Sequence, residues 1–117
     1  VATNPDVIAV GAFSPEDGTV RPYSSRGPTG AGLPKPEILA PDGVTGTVYK
    51  RFYGTSAAAP YAAGAAALLI QANDGSLTKE EFLAYFQADG EDICHNSICK
   101  LVFSQASEGG KETAFGR

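Results

Sequence analysis

The segment from Ala57 to Ile70 is the feature of the sequence that most constrains how the chain can fold. It consists mostly of alanine and ends in Leu-Leu-Ile, a composition with high helix propensity. Because the segment is apolar on nearly every face, it predicts a helix buried inside a fold rather than one on a surface. Pro60 is tolerated only near the first turn of a helix, so the helix is predicted to begin close to Ser56. Pro60 and Gly64 interrupt the apolar stretch, which is too short to span a bilayer, so no membrane is expected as a partner.

Short apolar runs elsewhere in the chain predict strands. Residues 7–10, Val-Ile-Ala-Val, form a continuous run that is typical of a strand in a sheet covered on both faces. Further β-prone runs lie at residues 38–40, 48–53 and 101–103. Together with the buried helix, these strands predict an α/β architecture. The predicted strands and helices amount to half of such a fold, because a sheet covered on both faces needs neighbouring elements that this chain does not supply.

A second helix is predicted by a clear start signal. Residues 78–81, Thr-Lys-Glu-Glu, fit the capping box, in which a hydroxyl residue and a glutamate three positions later satisfy each other's backbone N–H groups. Leu77 can pack on Phe82 across this first turn. The helix is predicted to run to about Ala88, with Phe82 and Phe86 facing inward.

Length and charge narrow the class of protein. The chain has 117 residues, enough for one small domain, and a formal net charge of −4. It lacks the clusters of lysine and arginine that phosphate binding requires, so nucleic acid is not an expected partner. The sequence contains no methionine and begins with Val1, so we expect it to be a segment of a longer chain.

Cys94 and Cys99 flank the short polar sequence His-Asn-Ser-Ile. A small-loop disulfide is the favoured interpretation, since a loop of this kind can bring two Cα atoms within bonding range. A metal site built from Cys94, His95 and Cys99 is the alternative, but zinc sites usually contain a second ligand pair that this sequence lacks, so no metal is predicted. A disulfide would favour an oxidising compartment, and hence a secreted or extracytoplasmic protein.

Gly54-Thr55-Ser56 stands at the predicted start of the alanine-rich helix. The N-terminus of a helix presents unpaired backbone N–H groups and the positive end of the helix dipole, which stabilise negative charge. A serine placed there can attack a carbonyl carbon while its own N–H receives the resulting oxyanion. The alternative is that Thr55 or Ser56 simply caps the helix, because hydroxyl residues are preferred at the capping position.

The segment from Gly54 to Pro60, Gly-Thr-Ser-Ala-Ala-Ala-Pro, resembles the nucleophile signature of the subtilases, a family of serine peptidases. Four more segments resemble subtilase motifs in the same order along the chain: residues 7–12 (Val-Ile-Ala-Val-Gly-Ala), 24–28 (Ser-Ser-Arg-Gly-Pro), 35–41 (Lys-Pro-Glu-Ile-Leu-Ala-Pro) and 64–69 (Gly-Ala-Ala-Ala-Leu-Leu). The resemblance covers residues 6–70 and fades beyond Asn73.

This resemblance implies that residues 1–117 are the C-terminal half of a subtilisin-like catalytic domain. Such a domain is a three-layer α/β fold with a mostly parallel sheet and the nucleophile at the N-terminus of a buried helix. The implied function is that of a serine endopeptidase acting on polypeptides by acyl transfer, with Ser56 as nucleophile supported by Gly54, Thr55 and Pro60. In the family a histidine is the general base and an aspartate orients it.

The order of the catalytic residues along a subtilase chain also implies which of them this chain does not contain. The aspartate, the histidine and the oxyanion-hole asparagine all precede the strand at residues 7–10 in the family, so they are expected in an N-terminal half that would be this chain's partner. The isolated chain is predicted to be inactive, because a serine without its base is a weak nucleophile. The alternative is a pseudo-protease of subtilase fold, whose missing half lacks the aspartate or histidine and which serves as a binding or scaffold domain.

Other expectations concern cofactors and departures from the subtilase pattern. The implied chemistry needs no cofactor, but structural calcium is common in the family, and carbonyls around Ala2 to Val7 are candidates for a weak cation site. His95, the only histidine, follows Ser56 and so lies on the wrong side for the family's base. Ala57 stands where many subtilases have methionine, which predicts tolerance of peroxide. Asp42 is inserted after an Ala-Pro dipeptide, either as an Asx-turn residue or as a residue on the substrate side.

Overall fold

A parallel sheet and two helices make up the regular part of the computed structural model, which describes residues 1–87 and 100–101. The elements in chain order are β1 (Val10–Phe13), β2 (Ile38–Pro41), α1 (Thr55–Ala72), α2 (Lys79–Gln87) and β3 (Lys100–Leu101). The strands lie in the order β1-β2-β3, and both pairs are parallel. Parallel strands, with two helices between β2 and β3 in the chain, confirm the α/β class expected from the sequence.

The register of the sheet brings the carboxyl ends of β1 and β2 together. Val10 lies opposite Ile38, and Phe13 lies opposite Pro41 at the end of both strands. Phe13 and Ile38 are almost wholly buried, as expected for strands covered by other elements. The segment that follows β2 therefore leaves the sheet beside the end of β1, and it leads directly to α1.

The first strand lies three residues later than predicted. The prediction placed it at residues 7–10, whereas β1 is Val10–Phe13. Side chains at residues 35–37 bind the backbone of residues 7–9: Glu37 Oε2 accepts a hydrogen bond from the Ala9 N–H at 2.8 Å, and Lys35 Nζ donates to the Val7 carbonyl at 2.5 Å. Because side chains satisfy these backbone groups, regular strand pairing begins only at Val10.

The prediction of a strand at residues 48–53 is wrong. The structure contains a loop there, with one isolated bridge between Val44 and Phe52. Val48 and Tyr49 are exposed, and the rings of Tyr49 and Phe52 stack at 5.6 Å. β-branched and aromatic residues favour a strand only where a neighbouring strand pairs with them, and this loop has no such neighbour among the described residues. Of the strand predicted at residues 101–103, only Leu101 is described, and it belongs to β3.

The alanine-rich helix is confirmed, and the described residues cover one of its faces. Its buried residues are Ala57, Ala58, Ala62, Ala65 and Leu69. They pack against β1 and β2, together with Ala12, Ile38 and Ala40. The small alanine side chains allow the helix to approach the sheet closely. Leu68, which is 53% exposed, and Ile70, which is 38% exposed, flank this buried face on its two sides, so the helix has apolar side chains that the described residues leave open.

The start of α2 agrees closely with its predicted capping box. The Thr78 N–H donates to Glu81 Oε2 at 2.7 Å, and the Glu81 N–H donates to Thr78 Oγ1 at 3.2 Å. Hydrogen bonds that the Glu81 carboxyl accepts from Thr78, first of all from its backbone N–H, lower the pKa of that carboxyl. Phe82 and Phe86 are buried in the same core as α1 and contact each other edge to face. No helix in residues 1–87 is long and apolar enough to cross a membrane.

Candidate active site

Ser56 lies in the first turn of α1, and its side chain is exposed. The capping position belongs to Gly54, and no side chain caps the helix. The alternative in which Thr55 or Ser56 serves as the N-cap is therefore wrong. Since the hydroxyl of Ser56 makes no hydrogen bond within the described part of the chain, it is free to act on a substrate.

Gly54 fixes the path of the backbone into α1. Its carbonyl accepts hydrogen bonds from the N–H groups of Ala57 at 2.9 Å and Ala58 at 3.2 Å, which start the helix. Its φ of 107° and ψ of 165° lie in a region that is essentially restricted to glycine. A glycine at position 54 is thus required by the conformation of this turn.

Thr55 and Ser56 each present a backbone N–H at the start of α1. The first N–H groups of a helix have no intrahelical acceptor, and neither of these two finds a backbone acceptor elsewhere in residues 1–87. They lie at the positive end of the helix dipole. The Ser56 hydroxyl and an unpaired N–H of the same residue therefore occupy one exposed corner of the molecule, which suits attack on a carbonyl group.

Pro60 lies within α1, about one helical turn after Ser56, and so slightly deeper in the helix than predicted. A residue at this position would normally donate its N–H to the Ser56 carbonyl, but proline has no N–H. The helix tolerates it because the missing hydrogen bond falls at the exposed end of α1, where water can replace the donor.

Asp42 is the residue near Ser56 whose role the sequence did not reveal. It follows β2 directly and is fully buried. Its Oδ1 accepts a hydrogen bond from Arg21 Nε at 2.6 Å, and its Oδ2 accepts one from the Gly54 N–H at 2.7 Å and another from the Tyr23 hydroxyl. It is neither an isolated turn residue nor a residue facing substrate. The available signal was a carboxylate placed at the carboxyl end of a buried strand, where functional residues of parallel sheets gather.

The carboxyl of Asp42 stays ionised in spite of its burial. Burial would raise its pKa, but the hydrogen bonds from Tyr23, Gly54 and Arg21 outweigh this effect and lower it. Arg21 balances the charge, and its guanidinium lies 5.3 Å from the centre of the Tyr53 ring. Burial and the hydrogen bond to Asp42 raise the pKa of Tyr23, so its hydroxyl remains a donor.

A cleft of about 360 Å³ opens beside the start of α1. It is lined by Val10 and Gly11 of β1, by Thr55, and by the loop of residues 23–29. This loop contains the Ser-Ser-Arg-Gly-Pro segment. Ser24 anchors it, because its buried hydroxyl oxygen accepts a hydrogen bond from the Ala12 N–H at 3.0 Å. The segment that resembles a subtilase motif thus forms one wall of a cleft that reaches Thr55, the residue before Ser56.

Comparison with known proteins decides the family. A model described as the subtilase family matches residues 2–113. The chain belongs to the subtilase family. It is 41% identical over 101 residues to the serine protease AprX of Bacillus subtilis strain 168, and that match covers 64% of this chain and 22% of the relative. The chain therefore spans under a quarter of the relative's length. No solved structure matches it.

The subtilase assignment bears on the residues that the sequence predicted for the site. Ser56 and the N–H groups at the start of α1 are present, whereas residues 1–87 contain no histidine that could act as a base. His95, Cys94 and Cys99 lie outside the described residues, so the disulfide stays a prediction. The family establishes a relationship to peptidases, whose substrates are polypeptides.

The carbonyl groups considered for a weak cation site already have partners. Those of Asn4 and Val7 accept hydrogen bonds from Lys35 Nζ at 3.0 Å and 2.5 Å, and that of Pro5 accepts one from Lys79 Nζ. The structural calcium that the subtilase resemblance implies stays a prediction. In the part of the chain that the structure describes, no group of three or more His, Cys, Asp or Glu residues could hold a metal ion.

Proposed function

We propose that this chain supplies the nucleophile of a serine endopeptidase that hydrolyses polypeptides by acyl transfer. The observation that carries the proposal is the placement of Ser56: its hydroxyl is exposed and unbonded in the described residues, at a helix N-terminus capped by a glycine. A serine that served only the helix would instead use its hydroxyl as the cap.

The proposed reaction begins when Ser56 Oγ attacks the carbonyl carbon of a peptide bond and loses its proton to a base. The oxyanion that forms accepts a hydrogen bond from the Ser56 N–H at the positive end of α1. The C–N bond then breaks, the leaving amine takes the proton from the base, and an acyl group remains on Ser56. Water, which gives a proton to the same base, attacks the acyl carbon. The base then passes that proton to Ser56 Oγ as the C–O bond breaks, and the new carboxylic acid leaves as a carboxylate.

We propose that residues 1–117 are the C-terminal half of the catalytic domain and that a complementary segment supplies the base, its aspartate and further oxyanion donors. The subtilase order of Asp, His and Ser supports this assignment, as does the small share of the relative that the chain spans. The exposed side chains of Leu68 and Ile70 on α1 give further support, because they form apolar surface that is open in the described residues. A complementary half that covered it would bury apolar surface.

The test uses the full-length protein in which this chain occurs. A fluorophosphonate, which reacts with activated serines, is added, and the modified residue is located by peptide mass spectrometry. We expect modification at Ser56 and hydrolysis of an unstructured polypeptide, both lost in Ser56→Ala. Ser76→Ala is the matched control, since Ser76 is also exposed but lies beyond the other end of α1, and it should retain both. A folded full-length protein that neither hydrolyses the polypeptide nor reacts at Ser56 would support the pseudo-protease instead.

A further inference from the structure

We propose that Asp42 is a positioning residue, whose carboxylate holds the Gly54 N–H and thereby fixes the start of α1 in the geometry that Ser56 needs. The inference rests on the proposed function of Ser56 as nucleophile. It concerns a residue that the subtilase signature does not include, since the signature segment begins only at Gly54.

Asp42 is itself held rigidly by the sheet. It follows the last residue of β2, and its own N–H donates to the carbonyl of Phe13 at the end of β1 at 3.1 Å. Its side chain is fully buried. The two strands therefore fix the position of the carboxylate, and a hydrogen bond to the carboxylate fixes the position of the group that donates it.

That partner is the residue from which α1 begins. The Gly54 N–H donates to Asp42 Oδ2 at 2.7 Å, while the Gly54 carbonyl accepts the first hydrogen bonds of the helix. A rotation of the peptide group before Gly54 would break the first contact and turn the helix start. Ser56 lies only two residues further along, so such a rotation would move both its hydroxyl and its N–H.

The loop between β2 and α1 makes this contact important. Residues 45–53 are exposed, so few buried contacts hold the loop itself. Its base is closed by the Gly43 N–H, which donates to the Phe52 carbonyl at 2.8 Å, and by the bond from Gly54 to Asp42. Of these two, only the bond to Asp42 reaches a residue of the helix start. Removal of the carboxylate would therefore free that end of the loop.

The Arg21 guanidinium and the Tyr23 hydroxyl complete the surroundings of Asp42. Both donate a hydrogen bond to Asp42, as does the Gly54 N–H. A carboxylate is the side chain that can accept all three hydrogen bonds. An asparagine has the same shape, but Arg21 can only donate and its charge holds the amide oxygen, so the NH2 group faces Tyr23 and Gly54. The Tyr23 hydroxyl can accept a hydrogen bond from that NH2 group, whereas the Gly54 N–H loses its acceptor. This difference makes Asp42→Asn a sharp test with little change in volume.

The experiment compares variants of the full-length protein in kcat, KM and rate of modification by a fluorophosphonate. For Asp42→Asn we expect kcat and the modification rate to fall about 10- to 100-fold, because a nucleophile displaced by about 1 Å can lose that much. KM should stay within about twofold, because the change affects the reacting group rather than substrate binding. Asp17→Asn is the matched control: it is the same substitution at an exposed turn and should leave both rates unchanged.

Two further variants separate positioning from stability. Arg21→Gln removes the ion pair but leaves the Gly54 contact, so it should lower the melting temperature while reducing kcat by at most about threefold. The double variant Arg21→Gln with Asp42→Leu leaves no unpaired buried charge and no side-chain acceptor for the Gly54 N–H, so it provides a test even if Asp42→Asn alone does not fold. It should show the same loss of kcat as Asp42→Asn.

The outcomes distinguish this inference from the function on which it rests. Loss of kcat in Asp42→Asn and the double variant, but not in Arg21→Gln, would support it. Wild-type kcat in the double variant, or an equal loss in Arg21→Gln, would overturn it, because the Gly54 contact would then have no special role. A Ser56→Ala variant that hydrolysed the polypeptide as fast as the wild type would instead refute the proposed function, whatever Asp42 did.

Discussion

Substitution of Gly54 by alanine gives the most direct test of the geometry around Ser56. The φ of 107° and ψ of 165° at Gly54 lie in a region that costs a residue with a Cβ atom about 1–3 kcal/mol. Space is not the obstacle, because a Cβ added at Gly54 would have the Ser56 nitrogen, at 3.8 Å, as its nearest contact. The whole of the expected loss in the free energy of unfolding is therefore conformational.

That added Cβ would also stand beside the N–H proposed to receive the oxyanion. Loss of one oxyanion donor typically lowers kcat by about 10²–10³-fold. In Gly54→Ala, partial obstruction of this N–H and a shift of the backbone before Ser56 should lower kcat at least about tenfold. The assay is hydrolysis of a polypeptide by the full-length protein, with stability followed by thermal unfolding of the same preparation.

Gly18→Ala is the matched control for this prediction. Gly18 also has a positive φ, 72°, and a Cβ there would meet nothing within 4 Å. Its strain should cost about 1–2 kcal/mol, similar to that at Gly54, but it lies in a turn away from Ser56. We expect both variants to lose stability and only Gly54→Ala to lose kcat. If Gly54→Ala unfolded like the wild type, or kept its kcat, the requirement for glycine before the nucleophile would be refuted.

Three further predictions concern other parts of the chain. Burial acts to raise the pKa of Glu37, but hydrogen bonds from Lys35 and from other donors outweigh burial and hold the pKa below its ordinary value of 4.5. The stabilisation by this carboxylate should be present above pH 4.5 and be lost as the pH falls through the lower, folded-state pKa. The free energy of unfolding of Glu37→Gln should therefore depend less on pH in the acid range. Thr78→Ala should lower the free energy of unfolding by about 1 kcal/mol through loss of the cap of α2, and Thr78→Ser should not; equal unfolding midpoints for the two variants would contradict this. Cys94 and Cys99 should react with iodoacetamide only after reduction, as measured by intact mass; two alkylations without reductant would exclude the disulfide.

The helices could be predicted from the sequence because their signals are local. The capping box at Thr78 involves residues three positions apart, and both of its hydrogen bonds form as expected. Pro60 located the start of α1 within a turn, since proline disturbs the helical turn that precedes it and so is favoured only near the start of a helix. The same local reasoning could not tell that the cap of α1 is Gly54, because the preference for hydroxyl residues at this position is a tendency that the backbone conformation can override.

The strands and the polar cluster could not be predicted as well, because their causes are not local. The start of β1 depends on side chains of Lys35 and Glu37, which lie far along the chain from residues 7–9 and take their backbone groups. Asp42 binds Arg21, 21 residues before it, and Gly54, 12 residues after it. A pattern within a short window shows Asp42 only as a turn residue. Its function becomes visible once the fold has brought these partners together.

The two interpretations of Ser56 that the sequence left open exclude each other on physical grounds. A serine that caps a helix directs its oxygen at the N–H groups of the first turn, so its hydroxyl and those donors satisfy each other. A nucleophile needs both free, the oxygen to attack and a donor to receive the oxyanion. The chain separates these demands by giving the cap to Gly54, whose replacement of a hydroxyl cap costs only a few tenths of a kcal/mol. A glycine cap has no side chain that could anchor the helix start. The buried carboxylate of Asp42 anchors it instead, from the end of the sheet.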